Sequence, residues 1–206
     1  ADKPDLRNSL LISDVTEAFR GSKFGLFAKI VSDGVIVRTI PAPAAAASPR
    51  SFFDKLNDWA RDMGQGGLGY ITYDDGEGHG PIARNLETER TSLIRDTLDL
   101  SDGDAVFFVA DREENQAAKF AGTVRTRICD GIGVLEKGKF KFCWITDYPM
   151  YQYDEIEKKI DFSHNPFSMP QINIKDFDKT DPLTIKAYQY DLVCNGYEIS
   201  SGAIRN

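Results

Sequence analysis

Cysteine is scarce in this chain, and its three copies are not placed to work together. Cys129, Cys143 and Cys194 are isolated, odd in number, and lack the C-x-x-C or nearby histidine spacing of a zinc site. They read as small core residues of a protein kept in a reducing compartment. Long apolar runs are missing as well. No stretch approaches the roughly 20 residues of a membrane span and no signal peptide is present, so a cytoplasmic protein with no membrane partner is expected. Positive charge is outnumbered, 25 Lys and Arg against 32 Asp and Glu, for a net charge of -7 and a pI near 4.9. No basic stripe occurs anywhere. That argues against a general polyanion-binding surface, because affinity for a phosphate backbone rests on clustered Lys and Arg. An initiator methionine is also lacking: A-D-K-P at 1–4 begins inside a polar block, as a segment cut from a longer chain would.

What is present is ordinary for a globular chain. Hydrophobic residues make up 41% and charged residues 28%, and 206 residues suffice for one large domain or a domain with part of another. After a polar lead-in at 2–7, Asp14 is placed to cap a short helix containing Val15, Ala18 and Phe19, which Gly21 ends. Residues 24–31 and 35–40 read as two strands joined by Ser32-Asp33-Gly34. The alanine- and proline-rich stretch at 41–47 reads as an ordered loop, a flexible linker being the alternative. Ser48 as N-cap and Pro49 at the first helical position then open an amphipathic helix that Gly64 closes. Its stripe of Phe52, Phe53, Leu56, Trp59, Ala60 and Met63 is core.

Gly64, Gly66 and Gly69 match a dinucleotide fingerprint on paper, but that motif must follow a strand and open a helix. Here it closes a helix and leads into a strand, so a dinucleotide site is excluded. The run at 74–78 lacks the spaced ligands and terminal Glu of a calcium loop and reads as a solvated turn, with His79 beyond it in a surface loop. A helix at 87–98 with Leu93, Ile94 and Leu98 inward, a strong strand at 105–109, and a long helix starting at Asp111 complete this part. That last helix presents Ala117, Phe120, Ala121, Val124 and Ile128 on one face and ends near Gly131 and Gly133. The order favours an α+β sandwich with helices packed on a mostly antiparallel sheet, its boundary near Lys137-Gly138.

The texture then changes to strands at 140–145, 159–162 and 186–193, a polar loop at 173–182 expected to be mobile, and no long helix. A second sheet begins here, with remaining strands expected outside the chain. Residues 190–206, Y-D-L-V-C-N-G-Y-E-I-S-S-G-A-I-R-N, read as a hairpin turning at Asn195-Gly196. Cys194 then faces Tyr197, Val193 faces Glu198 and Leu192 faces Ile199. Alternation puts Leu192, Cys194, Tyr197 and Ile199 on an apolar face and Asp191, Val193 and Glu198 on the other. Two carboxylates on one sheet face suit Mg²⁺, which is commonly held by one or two carboxylates plus substrate phosphates. A merely solvated strand face is the alternative. The small residues Ser200, Ser201, Gly202 and Ala203 would let a ligand approach the backbone, and Arg205 supplies a fork for a carboxylate or phosphate.

This stretch, with W-I-T-D-Y-P-M-Y at 144–151, S-H-N-P-F-S at 163–168 and D-K-P-D-L-R at 2–7, resembles bacterial aspartyl-tRNA synthetase in order and approximate spacing. The resemblance implies a lead-in from the catalytic domain at 1–13, the bacterial insertion domain at 14–137, and part of the antiparallel class II catalytic sheet at 138–206. It further implies a parent enzyme that activates L-aspartate with ATP and Mg²⁺ and transfers it to tRNA, working as a homodimer. On that basis Glu198 matches the glutamate that contacts ATP and its metal, and Asp191 its acidic partner. Arg205 matches the arginine that recognises the aspartate side chain, and His164 the first histidine of the family's H-H-P-F segment at the amino-acid site. Asn165 stands where that segment has its second histidine, and Ser200-Ser201-Gly202-Ala203 replaces a more glycine-rich run.

The family's motif 2 arginine and its motif 3, G-x-D-R, are not among these residues, nor are the dimer helix, the substrate-closing loop or the anticodon-binding domain. The expectation is therefore a fragment that is inactive by itself and holds neither ATP nor Mg²⁺ tightly. Two other readings stand beside it: an autonomous binding or interaction module, and a small Mg²⁺-dependent enzyme using Asp191, Glu198 and Arg205. The resemblance leaves open whether the parent charges tRNA-Asp alone or tRNA-Asn as well, what the insertion domain does, the fragment's oligomeric state, and any role for Asn165.

Overall fold

The computed structural model describes residues 3–205. Asp2, which opens the D-K-P-D-L-R block, and Asn206, at the end of the hairpin stretch, lie outside the described residues. In chain order the elements are β1 (Ser13–Asp14), α1 (Thr16–Phe19), α2 (Gly25–Ser32), β2 (Ile36–Ala42), α3 (Arg50–Asp62), β3 (Gly69–Asp74), β4 (Glu77–His79), α4 (Thr88–Thr97), β5 (Ala105–Asp111) and α5 (Glu114–Ile132). They continue as β6 (Phe142–Pro149), β7 (Tyr151–Asp154), β8 (Lys159–Phe162), β9 (Lys186–Cys194) and β10 (Tyr197–Ala203). The chain divides into two compact units, Asn8–Leu135 and a second one formed by the residues up to Arg7 with those from Glu136 onward.

The first unit is built around β5. Ala105 to Val109 are all buried, which requires a sheet covered on both faces, and alternation sends neighbouring side chains to opposite cores. Ala105, Phe107 and Val109 join Ile40 and Ala42 of β2 with residues of α3 and α5, among them Phe53, Leu56, Ala60, Phe120 and Val124. Val106 and Phe108 join Val37, Ile71 and Tyr73 with Phe19, Val31 and Ile94 from α1, α2 and α4. The strand order is β1-β2-β5-β3-β4, and each pairing is antiparallel. The fold is thus α+β, with helices on both faces of an antiparallel sheet.

Several local expectations change. Residues 24–31, read as a strand, largely form α2. Phe24, Phe27 and Val31 recur at helical spacing, the Phe27 ring lies 4.8 Å from Phe24 and 5.0 Å from Phe19, and Val31 is 2% exposed. A short apolar run does not declare its period, and packing decides. Ser32-Asp33-Gly34 accordingly ends a helix instead of turning a hairpin. Helix α3 starts after Pro49 with no side-chain cap, and α5 starts at Glu114, Asp111 accepting from the Glu113 amide at 3.0 Å. Met63 and Leu93 are each 54% exposed, outside the stripes assigned to them. His79 lies in edge strand β4, not in a loop. The glycine-rich run at 64–69 does lead from α3 into β3, and the loop after β2 is ordered, with Ala45 1% exposed.

The second unit has a three-stranded antiparallel sheet, order β10-β9-β6, and the separate hairpin β7-β8, whose first strand the sequence reading missed. Residues 173–182, read as a mobile polar loop, hold 3₁₀ turns at Ile174–Lys179 and Pro182–Thr184. Asn173 and Asp181 cap them by accepting backbone N–H groups. A small apolar cluster of Met150, Ile185 and Ala187 anchors the segment.

Phe107 is fully buried, with Phe53 and Tyr70 rings at 5.7 and 6.1 Å. Phe107→Ala is therefore expected to destabilise the chain by about 3–5 kcal/mol in denaturant unfolding. Leu93→Ala, on an exposed helix position, is expected to change it by no more than about 0.5 kcal/mol. Equal effects would refute the core assignment.

Candidate functional site

The candidate site lies on the β6-β9-β10 sheet, and its geometry starts at the Asn195-Gly196 turn. Both residues have positive φ, 53° and 85°, as a type I′ turn requires. The Asn195 side chain donates to the Lys139 carbonyl at 2.9 Å and accepts from the Lys141 amide at 3.0 Å, which ties the turn to the approach to β6. Cys194 faces Tyr197 and Val193 faces Glu198, as alternation predicted. Then the register breaks. A bulge at Ile199 sets Leu192 opposite Ser200 and Asp191 opposite Ser201, so Leu192 does not face Ile199.

The two faces are also covered differently from expectation. Ala187, Gln189, Asp191 and Val193 are buried, whereas Tyr197 and Ile199 of the apolar face are 73% and 58% exposed. Asp191 and Glu198 share a face through Val193, but in unlike settings. Asp191 is 7% exposed, while Glu198 lies at the surface and pairs with Lys3 at 3.3 Å. Nor is the small-residue run open everywhere. A Cβ on Gly202 would stand 2.7 Å from the Tyr190 ring, so the close approach that glycine permits there is taken by this chain's own tyrosine.

Asp191 is held by a residue the sequence reading passed over. Within W-I-T-D-Y-P-M-Y, Asp147 adopts φ 60° where the β6-β9 register shifts between Thr146 and Tyr148. Asp is one of the few side chains that tolerate this conformation, and the resulting bulge re-aims the next residue inward. Gln171 supports the bulge by donating to Asp147 at 2.8 Å and to the Ala187 carbonyl at 3.0 Å. Tyr148, 6% exposed, donates its hydroxyl to Asp191 Oδ2 at 2.5 Å. The other oxygen, Oδ1, is buried and has no hydrogen-bond partner among the described residues. His164 lies against the far side of the arrangement, its ring 5.1 Å from that of Tyr148.

The S-H-N-P-F-S segment arcs from β6 to the end of β10. Ser163 donates its amide to the Met150 carbonyl at 3.1 Å and its hydroxyl to Pro149. At the other end the Met169 amide donates to the Ile204 carbonyl at 2.7 Å, and Ser168 bridges Arg205. The Arg205 guanidinium lies 4.2 Å from the centroid of the Phe167 ring. Among the described residues no carboxylate pairs with it.

Of the expected site residues, then, Tyr148 brings His164 and Asp191 together, and the arc brings Arg205 to the same segment as His164. Glu198, at the turn end of the hairpin, joins Lys3 of the D-K-P-D-L-R block instead. As a metal site the donor set fits Mg²⁺ in kind: two carboxylates on one face, one of them with an orphaned oxygen. Among the described residues no group of three or more His, Cys, Asp or Glu gathers to hold an ion, so substrate phosphates would have to complete the coordination. Two cavities of about 310 and 540 Å³ lie in the Asn8–Leu135 unit, around Tyr70 and Arg84, and none of these site residues lines them.

The missed residues had a signal. D-Y-P in a strand pattern puts a left-handed-tolerant residue ahead of an aromatic, but only the fold shows that Tyr148 reaches Asp191.

Comparison with known proteins adds the following. Residues 27–121 match the GAD domain family. The whole chain is 62% identical over 206 residues to aspartate–tRNA(Asp/Asn) ligase of Acidiphilium cryptum, of which it spans 34%. It is 60% identical to that of Paramagnetospirillum magneticum, spanning 23%, and 57% identical to that of Gluconobacter oxydans, spanning 34%. All of this chain is covered in each case, and about a third or less of each relative.

Tyr148→Phe removes the one donor found for the buried Asp191 carboxyl among the described residues. It is expected to lower unfolding stability by about 1–3 kcal/mol, whereas Tyr153→Phe, at a 46% exposed position, should be neutral within about 0.5 kcal/mol. A neutral Tyr148→Phe would mean the hydroxyl does not hold Asp191.

Proposed function

We propose, on the premise that this chain is along its whole length a segment of the bacterial-type aspartyl-tRNA synthetase family, that it supplies the acidic and aspartate-recognising side of an aminoacylation site. The reaction of the longer polypeptide is activation of L-aspartate with ATP and Mg²⁺, then transfer to tRNA. The unit Asn8–Leu135, which contains the GAD match, is the insertion domain, and the unit from Glu136 onward is part of the class II catalytic domain. The relatives' names extend the proposal to both tRNA-Asp and tRNA-Asn. The resemblance carries with it a homodimer acting in the cytoplasm.

The observation that carries this reading is Arg205, a guanidinium stacked on Phe167 with no carboxylate partner among the described residues, beside the segment that contains His164. A planar fork with its edge free suits a bidentate carboxylate. In the proposed mechanism Arg205 selects aspartate by its side chain, and His164 borders the same amino acid. Glu198 and Asp191 would hold the ATP-bound metal, Tyr148 keeping one oxygen of Asp191 occupied so that the carboxylate has one orientation. The α-carboxylate of the held aspartate attacks the α-phosphorus of ATP and pyrophosphate leaves, and a bound Mg²⁺ would supply neutralising charge to the phosphate oxygens. Holding the two reactants in line accounts for much of such a rate enhancement. The arginines that the family's motifs 2 and 3 place on ATP are not in this sequence, so the segment is proposed to be inactive alone.

Aspartate-dependent ATP–pyrophosphate exchange tests this. The full-length polypeptide is expected to exchange and the 206-residue segment is not. In the full-length protein, Glu198→Ala and Arg205→Ala should each lower kcat/KM by about 100-fold or more. Exchange by the segment unaided, or full activity of both variants, would overturn the proposal.

A further inference from the structure

We propose that Phe167 is the positioning residue for Arg205 and thereby sets the preference for a carboxylate side chain over an amide. The inference rests on the reading that Arg205 grips the aspartate side chain. Phe167 is 43% exposed, so its ring is not there to fill a core. What its face does meet is the guanidinium, 4.2 Å from the ring centroid.

The backbone makes this contact a built one. The Ser168 amide closes a turn onto the Asn165 carbonyl at 3.0 Å, and Pro166 inside that turn restricts φ, so Phe167 leaves it in a set direction. Directly after Phe167, Ser168 bridges Arg205 and the Met169 amide binds the Ile204 carbonyl. The stacked side chains therefore sit on adjoining, hydrogen-bonded backbone. Arg205 follows β10, and the ring of Phe167 is the side-chain contact recorded for its guanidinium among the described residues.

Stacking has a directional consequence. A guanidinium laid on an aromatic face is attracted by the ring's negative face and keeps its N–H donors at the edge, in plane. Without the ring the side chain samples several rotamers, and each carboxylate it binds must first order it. Losing the ring should therefore weaken substrate capture while leaving the chemical step alone. An amide offers one acceptor and a donor that faces the fork, so discrimination against asparagine depends on the guanidinium holding its plane.

The test uses the full-length polypeptide, with KM for aspartate and kcat read by ATP–pyrophosphate exchange and the inhibition constant for asparagine as a second readout. Arg205→Ala is measured first and should raise KM by about 100-fold. Phe167→Leu, which keeps apolar bulk but removes the π face, should raise KM by about five- to thirtyfold with kcat within about twofold. It should also narrow the gap between aspartate and asparagine, and Phe167→Tyr should restore the parent values. If Arg205→Ala acts as stated but Phe167→Leu leaves KM unchanged, or lowers kcat alone, the positioning role is wrong while the aspartate-site reading survives. If Arg205→Ala itself leaves KM unchanged, the underlying reading falls and this inference with it.

Discussion

The register of β9 decides which side chains of the second unit meet. At one end the Asn195-Gly196 turn pins it to β10, and along its other edge the Asp147 bulge shifts β6 by one residue against it. A one-residue shift in a strand moves every following side chain to the opposite face. Without the bulge at Asp147, Tyr148 would point to the same side as Trp144 and Phe142, which are 61% and 58% exposed. With it, the tyrosine turns inward to Asp191. That hydroxyl gives the buried carboxyl group a partner, and leaving such a group unpaired in the interior costs more than the bond itself contributes.

The second break, at Ile199, works on the outer strand. It leaves the Val193–Glu198 pair intact but slides the serines by one position, so that Ser201 stands across from Asp191. Glu198 stays on the side of Asp191 yet remains close enough to the surface to pair with Lys3. The two carboxylates thus differ in freedom. One is fixed by a short hydrogen bond, the other held only by an exposed ion pair that contributes little. For the proposed metal-binding role, one rigid and one adaptable carboxylate would let a substrate-borne cation bind and leave again.

Much of this was legible from residues, and the failures have physical causes. The Asn195-Gly196 hairpin, the core stripe of α3 and the buried run of β5 announce themselves through turn chemistry and periodicity. The segment 24–31 does not, because seven apolar or small residues and one lysine fit a strand or a helix until Phe27 packs against Phe19. Alternation in 190–199 correctly separates two faces, but it does not say which face the segment itself covers. Tyr197 and Ile199 of the apolar set proved exposed, while Asp191 and Val193 of the other set are buried. Bulges are harder still. Each inserts one residue into a regular pattern, and only the pairing partner reveals where.

Charge supplies the last step. In a chain with 32 acidic residues against 25 basic ones, arginines readily find carboxylates: Arg7 pairs with Asp5, Arg20 with Glu17, Arg38 with Asp14 and Glu114, Arg95 with Asp102. Arg127 instead lies 5.5 Å from the Trp59 ring, but its ring belongs to a helix stripe packed on the core. Arg205 alone among these combines a ring with a backbone bridge to the residue beside that ring. In so acidic a chain, the absence of an acidic partner for this guanidinium among the described residues leaves its donors open, as the proposed carboxylate grip needs. On the proposed reading, a guanidinium with no acidic partner among the described residues and a ring beneath it is the combination a selective grip on the aspartate side chain requires.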